Sequence, residues 1–301
     1  MKNNILLFLL LSIFANAQTN RFFYEYKFIP DTNNMTEVKK EMMFLDIDKN
    51  GSNYYSRDKF VDDSTAQADL ERQLKLSPNN ISVNKREKAG QVSYKVTKQY
   101  PDFKTYLFKS ISGDQYKISE DKKPEWKILP DKEKVGEYNA QKATTNFGGR
   151  EWTAWFTTDI PFQDGPYKFY GLPGLIVKIE DKTGSHSITL VGNKTVQNVS
   201  AERDLQVPQN VKLFGMGGKE IEVTKDQFKK AWKNYVNDPS KNMREMMMKN
   251  GGDSNNKMVF KFKGSDGKEI SDPNQVFRQV EKSVKDALAK DNNPIEPDLI
   301  N

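Results

Sequence analysis

Cysteine is absent from the 301 residues, and histidine occurs once, as His186. The first absence removes disulfide staples, thiolate nucleophiles and thiolate metal ligands, so stability has to come from an ordinary hydrophobic core. The second excludes zinc centres that need two histidines, such as the H-E-x-x-H helix. Neither a G-x-S-x-G elbow nor a G-x-x-x-x-G-K-[ST] phosphate loop occurs, and no β-α-β alternation announces a parallel nucleotide-binding sheet. Long apolar runs are equally scarce. Outside residues 5–14 nothing approaches the ~18 residues that cross a bilayer as a helix.

At the N-terminus stand Lys2, the apolar run at 5–14 and Ala15-Asn16-Ala17, the three parts of a secretory signal peptide. Residues 1–17 are therefore expected to be removed, leaving a mature chain that begins at Gln18. No cysteine follows to carry a lipid. The expected location is the periplasm, the outer-membrane surface or the medium. Lys plus Arg total 47 against 41 Asp plus Glu, net +6, with both signs scattered along the chain. That is a solvated surface, and it does not point to nucleic acid.

Between residues 21 and 29, Phe22, Tyr24, Tyr26 and Phe28 alternate with Phe23, Glu25 and Lys27, the period of a strand with one buried face. Met43, Leu45 and Ile47 alternate likewise before the hairpin signal Asn50-Gly51, so the domain opens as a β-meander. Ser64 and Gln67 form a capping-box pattern around Ala66, Leu70 and Leu74, which predicts a short helix ended by Ser77-Pro78. Strands are then predicted at Val92-Tyr94-Val96, Tyr106-Phe108, Tyr116-Ile118, Trp126-Ile128, Trp152-Ala154-Phe156, Leu175-Val177-Ile179 and Ile188-Leu190. From about Thr224 the pattern turns helical. Val223, Thr224, Gln227 and Phe228 combine a staple with a capping box, and Phe228, Ala231, Trp232, Tyr235 and Val236 form one apolar stripe. A second helix follows Asp238-Pro239, and Ser265-Asp266-Gly267-Lys268 predicts a hairpin turn. Asp272-Pro273-x-Gln275 opens a third helix with Phe277, Val280, Val284 and Leu288 on one face. The domain reading is one globular unit over 18–290, helix-rich from about 224, with a polar tail at 291–301 loose or laid along the surface.

The sharpest backbone demand lies in Phe169-Tyr170-Gly171-Leu172-Pro173-Gly174-Leu175-Ile176. Pro173 fixes its φ and Gly174 stands where a type II turn needs positive φ, yet the flanks are apolar. An inward-folded turn is expected, reversing the chain between strands at 152–156 and 175–179 with Phe169 and Leu172 buried. Trp152, Trp155, Phe156, Phe162, Tyr167, Phe169 and Tyr170 form the densest aromatic cluster, read as core; alternatively Trp152, Trp155, Phe162, Tyr167, Phe169, Tyr170 and Leu172 wall a groove for a lipid, a peptide or a partner strand. Asp159, Asp164 and Glu151 could pair as hydrolytic carboxylates, although Asp164-Gly165-Pro166 reads as a turn. Asp46, Asp48 and Asn50-Gly51 match the start of a calcium loop, but its twelfth position is Arg57, which favours the hairpin. Met243, Met246, Met247 and Met248 could take Cu(I), whereas one histidine and no cysteine favour methionine as core filler. Gly171 and Gly174 have the spacing of an RNA clamp, which the apolar flanks oppose. His186, after Gly184-Ser185, is expected in an exposed turn without a catalytic role. No cofactor follows from any of these patterns.

Gly171-Leu172-Pro173-Gly174-Leu175-Ile176 resembles the hallmark of the GLPGLI family of exported Bacteroidota proteins. Lys142-Ala143, Phe147-x-Gly149-Arg150, Ala154-Trp155-Phe156-Thr157, Ile160-Pro161, Gly165-Pro166 and Phe169 stand in that family's order. The likeness runs over about 126–181, and the Asn-Pro-Ile-Glu at 293–296 fits more loosely. Many members have a cysteine where this chain has Ala140, so a thiol role in relatives does not carry over. The family is defined by its motif and brings no established activity. The order of elements is also similar to the incomplete β-barrels of periplasmic lipoprotein carriers, which hold acyl chains in a concave face. The expectation is an α+β fold: a strongly bent antiparallel β-sheet with packed helices, mainly in the C-terminal third. The expected function is a non-enzymatic binding or assembly module for an apolar ligand, a peptide or an envelope partner. An envelope hydrolase and a Met-based Cu(I) protein are the alternatives.

Overall fold

The structure, a computed structural model, describes residues 18–76, 90–197, 220–250, 262–263, 269–270 and 272–300. The predicted signal peptide lies outside them.

Strand β1 (Gln18–Phe28) alternates as predicted and sends Phe22, Tyr24 and Tyr26 inward. It pairs with β2 (Lys39–Ile47), which turns into β3 (Gly51–Ser56). At the turn, Asp48 Oδ1 accepts hydrogen bonds from the backbone of Asn50 (2.7 Å) and Gly51 (3.1 Å). Asp46 is committed instead to Arg21 and Tyr55, so the stretch is a hairpin, as the sequence favours. Helix α1 (Arg57–Leu76) starts well before the Ser64 pattern. The reason is local: β3 runs straight into it, and Ser56 Oγ accepts from the Lys59 N–H (3.0 Å), which supplies the cap.

Strands β4 (Lys95–Gln99), β5 (Lys104–Ile111), β6 (Asp114–Glu120), β7 (Lys127–Val135), β8 (Tyr138–Phe147), β9 (Arg150–Thr157), β10 (Leu175–Asp181) and β11 (His186–Gln197) continue the antiparallel pairing. Strand β8 gave no signal in the sequence because its buried positions Ala140 and Ala143 are small, with Ala143 opposite Ala154 of β9. Strand β12 (Glu220–Val223) runs parallel to β6, so the sheet is mixed where antiparallel pairing was expected. The order of this 12-stranded sheet is β12-β6-β5-β4-β3-β2-β1-β11-β10-β9-β8-β7. Its edges resist further pairing: β12 has four residues, and β7 is charged and interrupted at Pro130, within a register shift against β8.

Helix α2 (Lys225–Asn237) opens with the predicted capping box, in which Thr224 Oγ1 accepts from Gln227 N (3.3 Å) and Gln227 Oε1 from Thr224 N (2.9 Å). Helix α3 (Lys241–Asn250) follows. Short strands β13 (Phe262–Lys263) and β14 (Glu269–Ile270) pair antiparallel, and the turn predicted between them lies outside the described residues. Asp272 caps α4 (Pro273–Lys290) through the Asn274 N–H (2.9 Å), with Pro273 in the first turn. Among the described residues no helix is long and apolar enough to cross a membrane.

The segment at 291–300 departs from the expected surface tail, because Asn293, Ile295, Glu296 and Leu299 are buried. Its polar groups find partners inside. Asn293 donates from its backbone to Pro30 O (3.0 Å) and from Nδ2 to Ile29 O (2.7 Å), and Arg150 Nη2 donates to Pro294 O (2.6 Å). A polar composition misleads when every polar group is matched by a fixed donor or acceptor.

Candidate functional site

Residues 158–174 leave β9, bury the stretch 164–170 with Leu172, and re-enter the sheet as β10. Their anchor is an ion pair between Lys98 on β4 and Asp164, with both side chains wholly enclosed. The Lys98 ammonium also donates to the carbonyls of Gly165 (2.6 Å) and Phe169 (3.1 Å). Asp164 in turn accepts from the Tyr100 hydroxyl and from the Gly165 N–H (2.6 Å). Burial lowers the pKa of Lys98, and the neighbouring carboxylate opposes that fall.

A second buried cluster ties the same loop to the chain's far end. Lys168 Nζ donates to Glu120 Oε2 (2.8 Å) and Glu296 Oε2 (2.6 Å), and Lys225 Nζ lies 3.0 Å from Glu120 Oε2 and 2.5 Å from Glu296 Oε1. The Tyr167 hydroxyl adds a bond to Glu296 Oε2 (2.8 Å). Burial pushes the Glu296 carboxyl up, but the ammonium groups of Lys168 and Lys225 outweigh it and hold its pKa at about 2. Two cations meet two anions, so the cluster is neutral and joins the loop, β6, α2 and the C-terminal segment.

The Leu172-Pro173-Gly174 corner is tighter than the expected type II turn. The Gly174 N–H donates to Leu172 O (2.8 Å), a three-residue γ-turn, because the Leu175 N–H is taken by Ile160 O (3.1 Å). Gly174 has φ +147°, and a Cβ there would stand 2.6 Å from the Thr157 carbonyl carbon. Phe169 and Leu172 are buried, as expected. Phe169 packs on Trp152, ring centroids 5.0 Å apart, and on Phe147 at 5.6 Å.

The other predicted site residues fall as follows. Trp152, Trp155, Tyr167, Tyr170 and Leu172 are buried against the protein itself, and Phe162 is half-buried against Phe22. Trp155, on the opposite face of β9 from Trp152, lies beneath the Lys142 ammonium, 5.8 Å from its ring centroid. The three carboxylates are not brought together: Asp164 is enclosed, while Glu151 is paired with Lys182 at the surface and Asp159 is exposed. Met243 is buried, and the side chains of Met246 and Met247 lie outside the described residues. His186 is a correction. It is 1 % exposed at the start of β11, its Nδ1 shares a hydrogen bond with the Tyr26 hydroxyl (2.7 Å), and burial lowers its pKa to about 3. The glycine-serine approach looks like a turn, but the Asp181 carboxylate accepts the His186 N–H (2.9 Å) and draws the residue into the sheet.

Among the clefts that the described residues form, two bear on function. One, of about 910 Å³, is lined by charged groups such as Arg150, Glu151, Asp181 and Lys182, which already pair with one another. The other, of about 350 Å³, lies between the sheet and helices α2 and α4. Tyr26, Val92 and Ile111 form its buried floor, and Trp232, Tyr235, Val284 and Leu288 its half-buried roof. The sequence places these helix residues on apolar stripes, but it carries no sign that the stripes stop short of full contact with the sheet.

The geometry is that of a sheet protein with a self-filled interior loop and a helix-roofed cleft. Residues 148–178 match the family described as "Protein of unknown function (Porph_ging)", the GLPGLI family that the motif resembles; the match covers that short segment. Comparison with curated proteins gives no match. Among solved structures, PNGF-II overlaps in its P21 crystal form with 15% identity and a TM-score of 0.44, over 71% of this chain and 33% of that one. Its C2 form gives 14% and 0.43, over 69% and 31%. The chain thus spans about a third of PNGF-II. The MucA/MucB complex of Pseudomonas aeruginosa gives 8% and 0.28, over 64% and 56%. These overlaps are too loose to carry a fold or an activity.

Proposed function

We propose that the protein is a non-enzymatic binding module that takes an apolar ligand in the cleft between the sheet and helices α2 and α4. In this reading it is exported through the signal peptide at 1–17 and works in the periplasm or at the outer membrane. The observation that supports it is the half-burial of Trp232, Tyr235, Val284 and Leu288 over a space floored by core residues. Completing their burial would gain about 25 cal/mol per Å² of apolar surface, a gain that the protein forgoes and a ligand can collect. The sheet is strongly bent in this account, with residues 158–174 filling one part of its concave side. The buried charge clusters hold that filling rigid, so the remaining cleft is preformed.

Titration with the neutral fluorescent probe N-phenyl-1-naphthylamine tests the reading. One saturable site per chain is expected, weakened by Leu288→Glu on the roof. A folded protein that takes up no probe saturably contradicts it.

A further inference from the structure

Among the described residues lining the cleft there is one cationic side chain, Lys109, in an unexpected place. On β5, Leu107 and Ile111 belong to the core, and the period of two puts Lys109 on the same face between them. Lys109 accordingly lines the cleft, with its ammonium 4.9 Å from the ring centroid of Trp232. Burial lowers its pKa; the charges of Asp291 and Glu296 pull the other way, and that of Lys168 adds to the fall. Among the described residues lining the cleft, Asp291 is the one carboxylate, and it is exposed at the rim. His186 reaches the cleft as a neutral ring whose Nε2 is buried without a hydrogen bond, although the Asn293 backbone lies near it. The phenols of Tyr26, Tyr94 and Tyr235 stay protonated, because burial raises their pKa values.

Resting on the binding reading above, we propose that the ligand is an amphipathic anion: a single alkyl chain under Trp232, Tyr235, Val284 and Leu288, with its carboxylate against Lys109. A partly buried ammonium that rests on an aromatic face, with Asp291 and Glu296 acting on it at a distance, is costly to enclose, and a neutral ligand would desolvate it further. A carboxylate would instead supply a charge-assisted hydrogen bond in a site shielded from water. The His186 Nε2 offers a second contact, as donor or acceptor according to its tautomer. The volume of about 350 Å³ stands near the low end for small-molecule sites, which suits one chain rather than a two-chain lipid.

Isothermal titration of the folded protein with dodecanoate and with dodecan-1-ol, for wild type, Lys109→Met and Lys109→Arg, tests this. Wild type is expected to prefer dodecanoate by about tenfold or more, the scale of one charged hydrogen bond. Lys109→Met is expected to remove that preference while still binding dodecan-1-ol, and Lys109→Arg to retain it. Equal wild-type affinities, or a preference that survives Lys109→Met, overturn the anion inference and leave the apolar reading standing. Binding of neither ligand to wild type overturns both.

Discussion

Replacing Lys98 by Met removes the ammonium at the centre of the loop's anchor and leaves a stem of similar reach. Three bonds go with it, to Asp164, Gly165 O and Phe169 O. Breaking a buried ion pair by deleting one partner costs about 3–5 kcal/mol, because the remaining charge stays enclosed. Each orphaned carbonyl adds about 1–3 kcal/mol where water cannot reach it. Asp164 keeps the Tyr100 hydroxyl and the Gly165 N–H, which offset part of the damage. A loss of about 5 kcal/mol or more is expected, a large share of the 5–15 kcal/mol available to a domain. Asp164→Asn in the Lys98→Met background removes the stranded charge and is expected to recover about 2 kcal/mol. Urea unfolding followed by tryptophan fluorescence reads this out, since Trp126 donates to Tyr170 O (2.8 Å) and Trp152 packs on Phe169. A loss under about 1 kcal/mol for the single variant would refute the view that this pair holds the loop in place.

Further expectations concern the turn, the titrating groups and a cap. Gly174→Ala sets a Cβ against the Thr157 carbonyl at positive φ and is expected to cost more than about 3 kcal/mol by thermal or urea unfolding. His186 has a folded pKa of about 3 against an ordinary 6.5, so its contribution is complete above pH 6.5 and is lost as the pH falls. Stability should drop by about 1.4 kcal/mol per pH unit between 6.5 and 4.5, and His186→Gln should flatten that slope. Glu296, held at about 2 against 4.5, contributes stability that is present above pH 4.5 and lost between 4.5 and 2, about 3 kcal/mol in all. Glu296→Gln should remove this lower step in urea midpoints measured across pH. Thr224→Ala deletes the α2 cap and should cost about 1 kcal/mol without changing ligand affinity.

Local rules were legible wherever the chain states them with its own neighbours. The alternation in β1, the Asp48 hairpin, the Thr224 capping box and the Asp272-Pro273 start each depend on residues a few positions apart. Long-range electrostatics were not. Lys98 meets Asp164, and Lys168 meets Glu296, across separations that no period or spacing encodes, so charges that read as surface are enclosed. The same blindness made 291–300 look like a tail and His186 like a turn residue, because their burial is set by Arg150, Ile29 and Asp181 elsewhere in the chain. Strand β8 was hidden for another reason: Ala140 and Ala143 are buried but small, and alanine carries little strand signal. The motif was visible at once, and the burial of Phe169 and Leu172 with it, but the cleft was not. A cleft depends on where two apolar helix faces stop, and periodicity gives a face its direction without its depth of contact.

Photolabelling with an alkyl chain that carries a diazirine, followed by peptide mapping, separates the cleft from the motif loop most directly. Labels on the α2 and α4 peptides containing Trp232, Tyr235, Val284 and Leu288 are predicted, with residues 158–174 unlabelled. Labels concentrated on Phe162 and Tyr170 in the loop, or no specific labelling at all, would contradict a filled loop beside an open, helix-roofed cleft.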